Sequence, residues 1–582
     1  MSRAQQLITE NIATWTGAIQ ARSTSGRGSS NKYELYGIKK LRELILELAV
    51  RGKLVPQDSS DEPASVLLER IAAEKAELIK AKKIKKPKAL PPITDEEKPF
   101  ELPEGWEWVR LNEIGEWGAG ATPSRRNASY YGGEIPWFKS GELSSDYIST
   151  SEESVTELAL EQVSLRKNKP GDVLIAMYGA TIGKASILSV TATTNQAVCA
   201  CTPFTGISNI FLLTLLKSYR PRFIKMGAGG AQPNISREKI IATVIALPPQ
   251  KEQQRIVHKV DELMVLCDQL EQQTESSIEA HTTLVDTLLS TLTNSADADE
   301  LQQSWARIAG HFDTLFTTER SIDALKQTIL QLAVMGKLVR QNPNDEPASV
   351  LLKRIAAEKD RLVKEKKIKK QKPLPEISED EKPFELPNGW VFTTLSHLGT
   401  FSGGKTPSKM NPEYWNGSIP WITPKDMKVK RIGDSEDHIT EMAIKDGLSY
   451  IEPNSLLFVV RSGILRRHFP VALTQEQCTI NQDLKALALI DESISEYLLL
   501  MMSGFESYIL QNLTKTGTTV ESLKFEEFSQ HYFILPPLAE QQRIVAKIDE
   551  LMALCDQLKH KLRQSQQTQV HLTDAIVEQA LA

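Results

Sequence analysis

Three short stretches carry residue types that could do chemistry. Gly179–Ala185 reads GATIGKA, and a glycine-bounded turn ending in lysine is the raw material of a phosphate-binding loop. The spacing fails: three residues rather than four separate Gly179 from Gly183, and Ala185 stands where serine or threonine should hold magnesium. The stretch reads instead as a turn at a strand end. Asn411–Tyr414 reads NPEY, one proline short of the N-P-P-Y of adenine methyltransferases, and the matching stretch elsewhere in the chain is ASYY. No glycine-rich cofactor loop follows a strand nearby. Cys199 and Cys201 form C-x-C with no second pair to complete a zinc site, and the nine histidines include no H-E-x-x-H. No nuclease constellation stands out. Methyl transfer, nucleotide binding and metal chemistry are therefore not expected of this chain by itself.

Those stretches lie in a chain that repeats itself. LPPQKEQQRIVHKVDELMVLCDQLE (Leu247–Glu271) and LPPLAEQQRIVAKIDELMALCDQLK (Leu535–Lys559) agree at 19 of 25 positions, 288 residues apart. LAVRGKLVPQDSSDEPASVLLERIAAEKAELIKAKKIKK, from Leu48, returns 284 residues later from Leu332, and EKPFELPEGW (Glu97–Trp106) returns as EKPFELPNGW (Glu381–Trp390). Between these blocks only sparse anchors match: ATPS with KTPS, YYGGEIPW with YWNGSIPW, TTNQ with TINQ. The order is A–X–B–A′–Y–B′, with A and B constant and X and Y variable. A period of about 285 residues is a tandem duplication, not a solenoid.

Composition limits what the parts can be. The 582 residues suit several domains. The longest apolar run, IFLLTLL from Ile210, is far too short to cross a membrane, and MSRAQQLITE has no apolar core of a signal peptide. Five cysteines in so long a chain read as reduced thiols, not a disulfide framework. A net charge of −5 argues mildly against a free-standing nucleic-acid binder.

In block B, Ile256, Val260, Leu263, Cys267 and Leu270 alternate in spacings of four and three, and Leu284 and Leu288 rejoin the register. In B′ the same seam is Ile544, Ile548, Leu551, Cys555 and Leu558, then Leu562, Leu572 and Ile576. This is the a/d pattern of a helix lying along a partner, and the obvious partner is the other seam. Pro249 and Pro537 precede the helix starts, and Glu252 and Glu540 fall in the first turn, where a carboxylate suits the dipole. A helix of about 45 residues spans about 68 Å. Block A predicts one helix with Ile38, Leu41, Leu44, Ile45 and Leu48 on one face and Gly52 as its cap, and a second from Asp61 to about Lys86. The basic runs KAKKIKKPK and KEKKIKKQK then sit at helix C-termini, where cations suit the dipole or a partner. X and Y, each opening with GW, carry the buried strands GDVLIAMYG and NSLLFVVRSG and short helices at IFLLTLLKSY and EYLLLMMSGF.

The fold class is therefore α+β: two globular mixed α/β domains separated by long antiparallel helical coiled-coil spacers in a pseudo-two-fold circular arrangement. The boundaries are an N-terminal helical region 1–104, domain X 105–249, a central spacer 250–388, domain Y 389–537, and a C-terminal helix 538–582 paired with the central one. The residues after Glu540 joined to 1–97 rebuild one central region, so the chain ends are expected to meet.

The doubled LPP…EQQRIV.K.DELM.LCDQL, LA..GKLV and LP.GW, with the TPS…Y…G.IPW and NQ anchors, resemble the specificity (S) subunits of type I restriction-modification enzymes over nearly the whole chain, with the long N-terminal arm resembling class B. The resemblance implies that X and Y are target recognition domains, each reading one half of a split double-stranded DNA sequence. It implies that A and B set the gap and dock two methyltransferase (M) subunits, with two motor-nuclease (R) subunits completing the enzyme. No cofactor is then expected in this chain: S-adenosylmethionine for adenine methylation belongs to the M subunits, ATP and magnesium to the R subunits. A cytoplasmic location in a bacterium or archaeon follows, with no membrane partner. The rival readings are a fused or atypical methyltransferase or nuclease, and a coiled-coil adaptor that binds proteins only.

On that reading the expected DNA contacts in X are Thr122, Ser124, Arg125, Arg126, Lys139, Tyr178 and Lys184. In Y they are Lys405, Thr406, Ser408, Lys409, Lys425, Arg461, Arg466 and Arg467. Arginine and lysine can pair guanine edges and hydroxyls can bond phosphates. Trp137, Trp421, Asn195 and Asn481 recur in both domains and read as framework. X holds 14 basic and 12 acidic residues, Y 13 and 17. Neither is a basic domain, so DNA binding without partners is expected to be weak.

Overall fold

A computed structural model describes residues 3–21, 33–228, 233–295, 298–368, 386–515 and 520–582. The chain divides into two compact units, Met1–Ile278 with Gln564–Ala582, and Glu279–Arg563.

In the first unit the helix Tyr36–Val50 buries Ile38, Leu41, Leu44, Ile45 and Leu48, the stripe its spacing predicts. Gly52 follows at φ +68°, and a Cβ there would lie 3.0 Å from the Trp106 ring, so the turn closes directly onto the LP.GW motif. The second helix is Ala64–Lys80, shorter than the 61–86 expected. Pro63 caps its start, and Lys82 at φ +55° ends it by turning the chain left-handed. Most of the first basic run thus lies beyond the helix, and much of the second (369–372) lies outside the described residues. The helix Gln250–Asn294 begins one residue after Pro249.

Its seam residues Ile256, Val260, Leu263, Cys267 and Leu270 are buried in one cluster with Ile38, Leu41, Leu44, Ile45 and Leu48. Arg42 reaches from the block A helix to Glu271, 2.7 Å away, and to Asp268. Within this unit the seam residues therefore pack on the helix of block A. The second unit repeats the arrangement: Ile544, Ile548 and Cys555 are buried, and Leu551 and Leu558 half-buried, in a cluster with Ile322, Leu325, Ile329 and Leu332 of the helix Glu319–Val334. Here Lys326 meets Asp556, and Lys559 meets Asp323 at 2.9 Å. Leu284 and Leu572, expected in the seams, are 51% and 48% exposed, whereas Leu288 and Ile576, expected with them, pack into core clusters.

The expected meeting of the chain ends is seen within the first unit. Tyr36 donates to Asp574 at 2.7 Å and Lys53 to the Leu581 carbonyl at 2.9 Å, both acceptors lying on the helix Leu538–Leu581. The helices Ile12–Gly17 and Phe312–Leu315 add buried Trp15 and Leu315 to their respective units.

X and Y share one sheet topology although their sequences have diverged. In X a five-stranded sheet runs in the order Gly115–Ala119, Val198–Pro203, Val173–Ala176, Ala185–Leu188, Tyr147–Ile148. In Y the order is Gly399–Gly403, Leu484–Leu489, Leu456–Val459, Val471–Thr474, Arg431–Ile432. Each adds a three-stranded sheet centred on the strand Tyr131–Phe138 or Trp415–Ile422. Parallel partners bring Thr193 opposite Trp137 and Thr479 opposite Trp421, which places the NQ turn immediately beyond the sheet.

The constant blocks are constant because they grip one another. Trp106 donates its indole N–H to Glu252 at 3.0 Å and Trp390 to Glu540 at 3.1 Å. Arg255 pairs with Asp61 at 2.6 Å and Arg543 with Asp345 at 2.5 Å. Lys75 caps the Asn112 carbonyl and Lys359 that of Ser396. Glu252 and Glu540, read from spacing as dipole partners, are 1% exposed acceptors in the core, and burial holds both carboxyls above their usual range. All five cysteines are buried; burial pushes Cys199 up to about 12 and Cys267 to about 11, leaving inert thiols.

Candidate nucleic-acid interface

In each variable domain three segments converge on one edge. The first is the TPS loop. Gly120 abuts the NQ turn so closely that a Cβ would fall 2.2 Å from the Thr194 carbonyl oxygen; at Gly404 it would fall 2.0 Å from that of Ile480. Only glycine permits this approach. The framework tryptophans fix the loop's other side, Trp137 donating to the Ala121 carbonyl and Trp421 to that of Lys405, both at 3.1 Å. The second segment is the NQ turn itself. Thr122 donates to Gln196 Oε1 and Thr406 to Gln482 Oε1, and both glutamines are exposed. The third is the end of the central strand: the Met177 N–H bonds the Ala197 carbonyl and the Val460 N–H that of Asp483, both at 2.8 Å. This brings Tyr178 and Arg461, at equivalent positions, beside the turn.

Of the expected contacts, Thr122, Ser124, Arg125, Arg126 and Tyr178 in X and Lys405, Thr406, Ser408, Lys409 and Arg461 in Y share this edge and are exposed. Lys184 is half-buried in the hairpin turn that follows Tyr178; its N–H bonds the Thr181 carbonyl and its carbonyl accepts from Ala176. GATIGKA is thus a strand-end turn, with Gly179 and Gly183 both at positive φ. Arg466 and Arg467 lie at the end of a short helical turn, Gly463–Arg466, in the matching hairpin of Y. Lys425 follows the strand Trp415–Ile422, and no bond ties its side chain to the loop among the described residues.

Charge on this edge is partly cancelled from within. Glu153 accepts from Arg125 at 2.5 Å and from Lys139 at 2.6 Å, and the two cations hold its carboxyl down at about 2. The Arg125 guanidinium also stacks over Tyr131 and Trp137, 4.6 and 5.2 Å from the ring centres. Asp483 pairs with Arg461 at 2.7 Å and Glu521 with Arg466. Arg126, Lys184, Lys405, Lys409, Lys425 and Arg467 form no ion pair with a described residue. The acidic partners and the two glutamines were not anticipated as site residues. The recurrence of NQ across diverged domains was a usable signal for Gln196 and Gln482; nothing in the sequence singled out Glu153.

Among the described residues no group of three or more His, Cys, Asp or Glu is placed to hold a metal ion, and no helix is long and apolar enough to cross a membrane. The edge offers donors, cations and ring faces, the chemistry of phosphate and base contact.

A family model described as "Type I restriction modification DNA specificity domain" matches residues 103–280 and again 387–565. The type I restriction enzyme EcoAI specificity subunit of Escherichia coli is 42% identical across 99% of both chains, and the EcoEI specificity subunit of the same organism 41% across 99% of both. The crystal structure of an HsdS subunit from Thermoanaerobacter tengcongensis aligns with 83% of this chain and 98% of its own at 19% identity and a TM-score of 0.40. With two copies of its domain and full-length relatives on both sides, the chain belongs to the family of type I restriction enzyme specificity subunits.

Proposed function

We propose that each variable domain reads one half of a bipartite double-stranded DNA target. The long helices set the gap between the halves, and the constant surfaces carry two methyltransferase subunits and, through the assembled complex, two motor-nuclease subunits. The methyl donor, ATP and magnesium belong to those partners. The observation that carries this reading is the pairing of sameness and difference at the candidate edge. Loop, turn and strand end are built alike in both domains, while the side chains presented differ: Arg126 against Met410, Tyr178 against Arg461. One frame with two sets of contacts is what two half-sites of different sequence require.

Exchanging residues 389–537 for the matching domain of a relative tests it. The complex with the M subunits is expected to methylate a target changed in one half-site and unchanged in the other, read by methylation profiling of genomic DNA. Changes in both halves, or in neither, would count against it. The purified chain alone is expected to show neither methyl transfer nor cleavage.

The acidic partners supply a second prediction. Glu153→Gln releases Arg125 and Lys139 for phosphates. Affinity of the complex at low salt should rise several-fold, and the slope of log K against log[salt] should steepen by about 1–2. The wild-type pair is no pH switch. A carboxyl lowered to about 2 stays ionised down to that pH, so what the pair contributes is fully present above the ordinary glutamate range and is lost progressively as the pH falls from there through about 2.

A further inference from the structure

Met410 is 94% exposed, whereas the next most exposed large apolar side chain among the described residues is 55% exposed. It stands at the tip of the TPS loop of Y, and the loop is tightly built. The Asn411 N–H donates to the Ser408 carbonyl at 3.2 Å, the Trp415 indole to the same carbonyl at 3.1 Å, and Asn411 Oδ1 accepts from the Glu413 N–H at 3.1 Å. X repeats this turn. The Asn127 N–H donates to the Ser124 carbonyl at 3.1 Å, and Asn127 Oδ1 accepts from the Ser129 N–H at 3.2 Å. There the tip is Arg126, exposed and without an ion pair to a described residue. One turn thus presents two side chains of opposite chemistry at the same place.

Resting on the reading of Y as a DNA reader, we propose that Met410 is a specificity-determining residue of the second half-site, pressing on the 5-methyl group of a thymine. Lys409 beside it and Lys405 earlier in the same loop are exposed and can hold phosphates, which would leave the apolar tip for the groove. A thioether has no donor for the acceptors that base edges display, and the thymine methyl is the apolar group the major groove offers. Arg126, at the matching tip, carries donors suited to guanine instead.

The test uses the full chain assembled with its M subunits and duplexes carrying the split target, each thymine of the second half-site replaced in turn by uracil. One replacement is expected to weaken wild-type binding about tenfold. Met410→Ala should bind thymine and uracil duplexes alike, and Met410→Arg should shift that position toward guanine, with the first half-site read as before in both. First-half-site preference and circular dichroism report folding. A second half-site without thymine would overturn the assignment. So would unchanged preferences in both variants, or uracil duplexes bound at full affinity while the DNA is kinked at that step, the mark of a wedge between bases. If exchange of the whole domain alters the second half-site but these variants do not, the assignment to Met410 alone falls. If domain exchange alters neither half-site, the reading of Y falls with it.

Discussion

Trp390→Ala is expected to lower the stability of the second unit by about 3–5 kcal/mol, measured by denaturant unfolding, the range for emptying a buried aromatic site. Whole domains hold about 5–15 kcal/mol, so the loss approaches the margin. The ring is 6% exposed, lies against the turn at Gly336, and bonds Glu540 in the first turn of the helix Leu538–Leu581. Its removal opens a cavity and strips a buried carboxyl of its donor. Trp390→Phe separates the two effects: it keeps most of the ring and deletes the N–H, for an expected loss of about 1–3 kcal/mol near neutral pH. The loss should shrink in acid. Burial raises the folded-state pKa of Glu540, so the native chain takes up a proton more readily than the unfolded one, and stability falls as pH rises through that raised value. A protonated Glu540 depends less on the missing donor. An equal loss at acid and neutral pH would show that the bond to the carboxylate is not what the indole contributes.

Adding seven residues to the helix Gln250–Asn294 and seven to the helix Leu538–Leu581, at matching points of the repeat, should widen the gap between half-sites by about three base pairs. Seven residues advance a helix by about 10.5 Å and nearly two whole turns, and base pairs rise about 3.4 Å each. The seams keep their facing because the inserted length matches their own period. Inserting the heptad in one helix only should abolish selective binding. Profiling the methylated sites reads both outcomes, and an unchanged gap at full affinity in the doubly lengthened protein would remove the spacer role.

The repeats made the long helices and the two variable domains visible because apolar spacing and proline breaks are local signals. Gln250 follows Pro249 where the spacing placed the helix start. What lay hidden depends on contacts across hundreds of residues. Arg42 gives no sign in the sequence that it faces Asp268 and Glu271, so the packing of the block A helix on the seam is not read from it. Leu284 and Leu572 keep the heptad register yet are about half exposed, while Leu288 and Ile576, four residues on, pack into core clusters, since register does not say which of its positions a partner covers. The spacing gives Glu252 a role at the helix dipole but not its bond to the Trp106 indole, which comes from 146 residues away. At the candidate edge the cations were legible as types, but Glu153, Asp483 and Glu521, which neutralise four of them, come from separate loops.

The division of the chain has a consequence for biosynthesis. The first unit includes Gln564–Ala582, whereas the second ends at Arg563. Domains commonly fold in the order they leave the ribosome. Here the core of the earlier-born unit stays without Ile576, and Tyr36 without Asp574, until the end of the helix Leu538–Leu581 emerges. The later-born half can settle first, and a nascent chain stalled shortly before residue 564 would carry a finished second reader beside an unfinished first.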